Sequence, residues 1–377
     1  TLCAHCWTVL ATSAIVQPPP PSLAQLIYSS DLTARSRYTV RTESPLFVTN
    51  HSRHHQFRGN ETLPADHFIM ASFNPFVPVF VDEELVRVPT GASIVEPESV
   101  IGESGRSYHG YKEGRYLLPN DAAEQDRLDF QHAMVTLLLD GKLVLAPLVQ
   151  VPRRVIDVAT GTGIWALEFA RSNPTSQVIG TDLSKIQPNP DVPNCLFEKV
   201  DCEDPWLYTE KFDYIHMRFL TTGIRDPRGS SARRTRTSSR GDCHMQYVSV
   251  DPDSQDSALE RFSDHIARGA AVRGYDLRKA QYYKQWLIDA GFTEVQEIFY
   301  KIPCSQWPTD PKAHRIGEYQ QRNGLDGLRG SSYLMLRNAG LSPEEVETLI
   351  SDAKHELRAQ TVKAYSPFYV VFGKKPL

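Results

Sequence analysis

Three acidic residues in the middle of the chain each accompany a short apolar segment, and this spacing has a clear chemical meaning. Asp157 lies inside a β-branched segment, whereas Asp182 and Asp201 end or follow two later segments. Carboxylates at the ends of neighbouring parallel strands accept hydrogen bonds from ammonium groups, ribose hydroxyls or an adenine amino group. Taken singly, each acid also has a structural explanation, such as a helix cap at Asp182 or a solvated turn at 201–204. Their order and spacing together favour one cofactor-binding crevice.

The segment around the first acid predicts a strand, a glycine turn and the start of a helix. Gly161 and Gly163 allow the backbone to turn sharply and to pass close to a ligand. The helix that begins at Ile164 directs its free N–H groups toward that turn. A crevice of this kind binds nucleotide-like cofactors at the carboxyl end of a parallel sheet.

Two cofactors fit this turn. The G-x-G-x-x-A sequence at 161–166 matches the dinucleotide fingerprint, and Asp182 has the spacing of its ribose-binding acid. S-adenosylmethionine is favoured because Asp157 places a carboxylate where a dinucleotide fold usually has an apolar core residue. That carboxylate is suited to the ammonium group of the cofactor. The dinucleotide alternative predicts that Asp157 is dispensable.

Four sequence motifs surround the acids and carry a family resemblance. They are D-V-A-T-G-T-G-I-W at 157–165, I-G-T-D-L-S-K-I-Q-P at 179–188, E-D-P-W-L-Y at 203–208 and F-D-Y-I-H-M-R at 212–218. On these residues the chain resembles the class I S-adenosylmethionine-dependent methyltransferases, and specifically the fungal LaeA-like group associated with secondary metabolism. The resemblance covers about residues 105–377 with one gap. Ala159 departs from the broader superfamily, which usually has glycine there, but alanine is small enough to keep the turn.

The resemblance implies an α/β fold of the Rossmann-like, class I methyltransferase type. Its sheet is mostly parallel and seven-stranded, with helices on both faces and a helical insert before the last strand. The segments 292–302 and 366–373 are expected to form an antiparallel hairpin at the sheet edge. From the residues themselves we expect a helix over 122–139. The alternation along the chain predicts parallel strands near 154–158, 178–182, 195–200 and 212–217.

The resemblance also implies S-adenosyl-L-methionine as the cofactor, and no metal is expected. The residues expected to bind the cofactor are Asp157, Ala159, Gly161, Gly163, Asp182, Leu183, Asp201 and Cys202. Of these, Asp157 is assigned to the methionine end, Asp182 to the ribose, and Asp201 with Cys202 to the adenine region.

Five further residues are candidates for contact with the substrate. Tyr111, Tyr116 and Asn120 are expected to form a lid by resemblance, and packing of the linker is the alternative role for the tyrosines. His216 and Arg218 close the fourth strand at the edge of the cleft. His216 is the first candidate for a general base, which is needed only if the acceptor is protonated. Pairing with a neighbouring acid is the alternative role for Arg218.

Three functions remain open at the level of sequence. The first is methylation of a small molecule in fungal secondary metabolism. The second is a LaeA-like regulatory protein that binds the cofactor but acts through a protein partner or is catalytically inactive. The third is a nicotinamide-dependent oxidoreductase. The first two share every motif, so only turnover or a partner screen separates them.

The composition is that of a soluble globular protein, with 23% charged and 41% hydrophobic residues among 377. A net charge of −4 provides no basic field for nucleic acid. No apolar stretch is long enough for a membrane span, so no membrane partner is expected. The scattered cysteines, with Cys195 and Cys202 beside a predicted strand, indicate a reducing compartment. Cytoplasmic, or alternatively nuclear, localisation is therefore expected.

The chain divides unevenly along its length. Residues 1–104 are interpreted as a disordered or mistranslated tail, with Met70 as the first plausible start. Residues 105–150 are expected to form a helical lead-in or lid. Residues 151–377 form the expected methyltransferase domain, with the helical insert at 310–361.

An arginine-rich segment at 225–241 interrupts the family pattern where the superfamily has an amphipathic helix. We interpret it as a frame error or a misplaced exon boundary, with a basic interaction patch and a solvated loop as alternatives. The fifth strand is then expected at 246–250. If the segment is genuine, the domain lacks a packed helix and its activity is in doubt. Transcript sequencing tests the interpretation as a gene-model error, because an in-frame transcript that encodes the arginine-rich segment would refute that interpretation.

Overall fold

The computed structural model describes residues 99–112, 114–189, 191–225, 235–251 and 256–376. An eight-stranded sheet lies at the centre of this part of the chain. Its strands are β3 (Arg154–Val158), β4 (Gln177–Asp182), β5 (Cys195–Lys199), β6 (Phe212–Arg218), β7 (Thr235–Cys243), β8 (Val248–Ser249), β9 (Thr293–Pro303) and β10 (Ala364–Lys374). Two shorter strands precede them, β1 (Ser99–Ile101) and β2 (Ser107–His109), and pair with each other.

The strand order of the large sheet is β5-β4-β3-β6-β7-β10-β8, with β9 on the other edge of β10. The five strands from β5 to β7 in this order are parallel, and β10 runs antiparallel to β7, β8 and β9. The predicted seven-stranded, mostly parallel arrangement and its terminal hairpin are therefore confirmed. The additional strand, β8, is only two residues long and extends the edge beside β7.

Six α-helices lie in the described ranges. They are α1 (Ala122–Leu138), α2 (Ile164–Ser172), α3 (Ala258–Val272), α4 (Tyr283–Asp289), α5 (Pro311–Asn338) and α6 (Pro343–Ala359). Asp121 caps α1 by accepting from the backbone N–H of Glu124, and Ser342 with Glu345 forms a reciprocal capping box at α6. The insert before the last strand thus consists of two helices. None of the helices in this part of the chain is long and apolar enough to span a membrane.

The central strands β3 and β6 are buried at nearly every position, and successive side chains enter apolar layers on opposite faces of the sheet. Val155 belongs to one layer, in which α2 contributes Trp165 and Phe169. Ile156 and Val158 belong to the opposite layer. Because parallel strands are covered on both faces, β3 consists of apolar residues at every position except its first and Asp157. That one carboxylate therefore stands out within the core.

Two predictions about the chain's organisation are wrong. The fifth strand is not at 246–250, since β7 includes residues 235–241 of the arginine-rich segment and is hydrogen-bonded between β6 and β10. A sheet ladder uses backbone N–H and C=O groups, so pairing on both sides accommodates a sequence without apolar periodicity. Residues 99–104, assigned to the tail, include strand β1. The predictions for residues 1–98 and for 226–234 lie outside the described residues.

Candidate functional site

A cavity opens at the carboxyl ends of the central parallel strands, beside the glycine turn that follows β3. Its walls come from the ends of β3, β4, β5 and β6, from α1 and from the segment that precedes α1. The predicted residues that line it are Tyr116, Asn120, Asp157, Ala159, Gly161, Asp182, Leu183, Cys202, His216 and Arg218. Parallel strands bring these residues together because their carboxyl ends meet at one edge of the sheet.

Asp157 lies at the floor of the cavity, in register with Gly180 of β4 and His216 of β6. The hydroxyl of Thr160 donates a hydrogen bond to its carboxylate at 2.6 Å. Burial raises the pKa of Asp157 to about 7, although this hydrogen bond and the charge of Arg218 oppose the shift. A buried carboxylate with this pKa is available for a cationic ligand.

Asp182 ends β4 and ties the glycine turn to that strand. Its carboxylate accepts the backbone N–H of Gly161 at 2.9 Å and that of Ser184 at 2.9 Å. Burial raises the pKa of Asp182 to about 6, against the effect of these hydrogen bonds. A carboxylate has about four lone-pair positions, so acceptor capacity remains for two hydroxyl groups.

Asp201 does not line the cavity. Its carboxylate accepts hydrogen bonds from Lys112 at 3.0 Å and from Arg115 at 3.1 Å. Burial acts to raise the pKa of Asp201, but the hydrogen bonds from Arg115 and Lys112 outweigh it, and the pKa lies below its ordinary value. The residues on either side, Val200 and Cys202, line the cavity instead. Asp201 therefore fastens the segment before α1 to the end of β5.

Two other predicted residues also lie outside the cavity lining. Tyr111 lines a neighbouring groove, where the ammonium groups of Lys112 and Lys199 lie 5.6 Å and 5.2 Å from its ring centroid. Gly163 is the N-cap of α2, with φ at +83°. A Cβ atom at Gly163 would lie 2.5 Å from the ring of Phe197, so the packing of this ring and the positive φ both favour glycine there.

Two basic side chains from β6 complete the floor of the cavity. The ring of His216 stacks on Trp165 at 3.8 Å between centroids, and neither ring nitrogen has a partner in the described ranges. Burial and the nearby charge of Arg218 lower the pKa of His216 well below its ordinary value, so the ring is neutral. Burial lowers the pKa of Arg218 to about 10, which leaves it charged at neutral pH.

The partner of Arg218 is His132 on α1, a residue that was not among those predicted for the site. Arg218 donates to Nδ1 of His132 at 2.6 Å, so Nε2 of His132 carries the proton and faces Glu168 at 3.0 Å. The predicted alternative, direct pairing of Arg218 with an acid, is replaced by this relay. A signal was present, since His132 ends the motif Q-D-R-L-D-F-Q-H at 125–132, which resembles the family.

A second cavity adjoins the first beneath α5. The two share Tyr116, Leu128, Gln131 and Phe219 in their walls. The second cavity extends from these residues toward α3 and α5. The arrangement therefore consists of one polar cavity at the strand ends and a neighbouring cavity that opens from it.

Ala159 has a left-handed backbone conformation, with φ at +53°. This conformation costs about 1–2 kcal/mol for a residue with a Cβ atom, whereas glycine gains about 0.4–1 kcal/mol of extra unfolded-state entropy. We expect Ala159→Gly to raise the free energy of unfolding by about 0.5 kcal/mol in urea denaturation. Ala166→Gly, within α2, is the control and is expected to lower it by about 1 kcal/mol. An equal loss in both variants would contradict the strain at Ala159.

Comparison with known proteins finds sequence relatives among methyltransferases. A family described as "Methyltransferase domain" matches residues 130–297. Methyltransferase pytC of Aspergillus terreus is 33% identical over 281 residues, which cover 72% of this chain and 87% of that protein. Secondary metabolism regulator laeA of Monascus pilosus is 30% identical over 74% of this chain and 80% of that protein. Among solved structures, Haemonchus contortus phosphoethanolamine N-methyltransferase 2 with S-adenosyl-L-methionine has a TM-score of 0.38 and 16% identity, covering 65% of this chain and 53% of that one.

The fold, the cavity at the strand ends and the sequence matches together define a class I, S-adenosylmethionine-dependent methyltransferase. The chain belongs to the methyltransferase family that includes the fungal proteins pytC and laeA.

Proposed function

We propose that the first cavity binds S-adenosylmethionine and that the chain transfers a methyl group to a small molecule held in the second cavity. The observation that carries the proposal is the order of groups along the first cavity. A carboxylate and a guanidinium lie at one end, a hydrogen-bonded carboxylate follows, and apolar side chains lie near the end of β5. This order matches an amino acid, a ribose and an adenine.

The amino-acid end has charges of both signs. Asp157 is buried and Arg218 is half-buried, and they lie on adjacent strands that face the same cavity. The ammonium group of the cofactor fits the carboxylate of Asp157, and its carboxylate group fits the guanidinium of Arg218. We assign Arg218 to cofactor binding on this basis. The relay through His132 and Glu168 orients the guanidinium and leaves its charge in place.

The ribose and adenine positions follow from the next two strands. Asp182 has the remaining acceptor capacity for two ribose hydroxyls. Leu183, Val200 and Cys202 form apolar walls beyond it, suited to the faces of an adenine ring. Asp201 supports this region indirectly, because it holds Lys112 and Arg115 against the end of β5.

S-adenosylmethionine supplies an electrophilic methyl group on a sulfonium sulfur. The chain's own residues have to align an acceptor with that group and exclude water. Tyr116 and Asn120 cover the cavity from the segment before α1. His216 has a strongly lowered pKa and is therefore a weak base. We assign it to hydrogen bonding in the cavity rather than to proton removal.

A LaeA-like regulatory role is the second candidate. It is supported by the 30% identity to secondary metabolism regulator laeA over 74% of this chain. In that case a protein partner would replace the small molecule as the target. We place either function in the cytoplasm or the nucleus, because the buried thiols of Cys195 and Cys202 are unpaired and suit a reducing compartment. Turnover on small molecules, set against a screen for binding partners, separates the two functions.

The first experiment is a calorimetric titration of the full chain with S-adenosylhomocysteine, with NADH titrated in parallel. We expect S-adenosylhomocysteine to bind with a micromolar dissociation constant and NADH to show no heat of binding. Circular dichroism on the same sample provides the control for folding. Binding of NADH alone, or binding of neither ligand to a folded protein, would refute the cofactor assignment.

A further inference from the structure

We propose that the second cavity is the acceptor site and that it takes an uncharged, flat and mainly apolar molecule, aromatic or alicyclic, whose polar edge offers hydroxyl, carbonyl or amide groups. This inference rests on the proposed function, because it assumes that the cofactor occupies the first cavity. It adds the chemical class of the acceptor, which neither the motifs nor the comparisons provide.

The position of the cavity is the first argument. Tyr116, Gln131 and Phe219 lie in the walls of both cavities, so a molecule in the second one reaches the cofactor at these residues. Phe219 follows β6 directly and has φ at +58°, a conformation that non-glycine residues rarely adopt. The backbone N–H of Leu220, the next residue, is held by the buried carboxylate of Asp242 at 2.8 Å. The backbone that carries the ring of Phe219 is therefore held in place at the junction of the two cavities.

The walls of the second cavity are apolar on the side of the helical layer. They include Leu118, Tyr247, Phe262, Ile266 and Leu328, each of which is at most 9% exposed. Aromatic and aliphatic walls of this kind favour a flat apolar body, because such a body loses little hydration and gains close contact.

Charge is the second argument. Arg127 is the one lining residue that is charged at neutral pH in the described part of the cavity. It is already neutralised, since it donates two hydrogen bonds to Glu124, at 2.7 Å and 3.1 Å, and one to Asn323 at 2.7 Å. Burial lowers the pKa of His244 to about 4, so this residue is neutral as well. A charged acceptor would lose its hydration without gaining a partner, which is costly.

The polar groups that remain available in the described part of the cavity are neutral and include two amides and Nε2 of His244. Gln131 and Gln246 line the cavity, and their side-chain amides make no hydrogen bond to any residue that the structure describes. Each amide offers both a donor and an acceptor. Burial raises the pKa of the Cys243 thiol far above neutrality, so it offers no thiolate. The cavity can therefore form hydrogen bonds with hydroxyl, carbonyl or amide groups, but its described residues provide no counterion for a carboxylate, phosphate or ammonium group.

The test compares three probes of equal size on the full chain saturated with S-adenosylhomocysteine. The probes are naphthol, naphthoate and naphthylmethylamine, which are neutral, anionic and cationic at neutral pH. Dissociation constants are measured by ligand-observed NMR titration. We expect naphthol to bind at least about tenfold more tightly than either charged probe, which corresponds to about 1.4 kcal/mol.

A charge introduced at Gln246 tests the same argument by a gain of binding. Gln246 lines the second cavity only, and Gln246→Glu keeps the size of the side chain. We expect this variant to bind naphthylmethylamine at least about tenfold more tightly than the wild type, through a charge-assisted hydrogen bond. Its affinity for S-adenosylhomocysteine is expected to stay unchanged. Gln296→Glu, on the exposed side of β9, is the matched control and is expected to change neither affinity.

The outcomes separate this inference from the proposed function. Tighter binding of naphthoate or naphthylmethylamine to the wild type would overturn the inference. Binding of S-adenosylhomocysteine without binding of any probe would also overturn it, while leaving the cofactor assignment intact. Failure of S-adenosylhomocysteine to bind to folded protein would refute the proposed function and, with it, the inference that rests on it.

Discussion

Replacement of Asp182 by alanine is expected to weaken S-adenosylhomocysteine binding by at least about 1.5 kcal/mol, or more than about tenfold. The carboxylate is a charged acceptor at the cavity wall, and hydrogen bonds to charged groups contribute more than neutral ones. It also holds the backbone N–H of Gly161, so its removal loosens the glycine turn beside the cofactor. Calorimetric titration at neutral pH measures the change in affinity.

Two controls make this result specific. Asp191→Ala is the matched variant, because 89% of the Asp191 side chain is exposed in the loop after β4, where it pairs with Arg171. It is expected to bind S-adenosylhomocysteine like the wild type. Urea denaturation without ligand shows whether Asp182→Ala still folds. Affinity within about twofold of the wild type, in a folded Asp182→Ala variant, would remove Asp182 from the cofactor site.

The second large effect is a dependence of cofactor affinity on pH, caused by Asp157. Its carboxyl group titrates at about 7 in the folded protein, so it is mostly protonated under mildly acidic conditions. Binding of the ammonium group favours the ionised form and releases a proton. Affinity for S-adenosylhomocysteine is therefore expected to rise by up to about tenfold per pH unit as the pH approaches 7 from below. Calorimetry in buffers of different ionisation enthalpy measures the affinity and the proton release together.

Asp157→Asn removes the titrating group and isolates its contribution. The variant is expected to bind more weakly at neutral pH and to keep only the dependence due to Asp182, which titrates at about 6. Its affinity should therefore be nearly constant between about pH 6.5 and about pH 8. An unchanged dependence on pH in Asp157→Asn would show that another group carries it.

The stability of the ligand-free protein depends on pH in the opposite sense. The folded pKa of Asp157 is raised above its ordinary value of 3.8, so the folded state binds more protons than the unfolded state between about pH 4 and about pH 7. The free energy of unfolding therefore falls as the pH rises through this range. His132 and His216, whose pKa values are lowered by burial, contribute the opposite slope below their ordinary value of 6.5. The difference between wild type and Asp157→Asn in urea denaturation isolates the contribution of Asp157.

Local patterns in the sequence were sufficient for the central strands and for the turn that follows the first of them. Apolar β-branched runs predict β3 and β4, and the glycines predict the sharp turn, in which Gly161 and Gly163 both have positive φ. The sequence Ser-Pro-Glu-Glu at 342–345 is also typical of the capping box at Ser342, since that box involves residues three positions apart. These features depend on backbone dihedral preferences and on partners within one turn of the chain, which a sequence shows directly.

Tertiary structure decided which partner each polar side chain meets. Asp201 has the expected position after β5, yet its carboxylate binds Lys112 and Arg115 from a segment that precedes α1. Arg218 donates a hydrogen bond to His132 on α1 and not to an acid. Both outcomes depend on how α1 and its lead-in pack against the strand ends. The spacing of residues within one strand does not contain that information.

The fifth parallel strand, β7, shows most clearly the difference between what the sequence predicts and what tertiary structure decides. The arginine-rich segment has no apolar periodicity, and by itself it predicted no strand. In the sheet, β7 is paired on both sides, so β6 and β10 supply hydrogen-bond partners to its backbone. The pattern of apolar side chains was enough to predict those strands and helices that are buried through their own side chains. Backbone pairing between segments far apart in the chain determined the rest, because each N–H and C=O group inside the sheet has to find a partner.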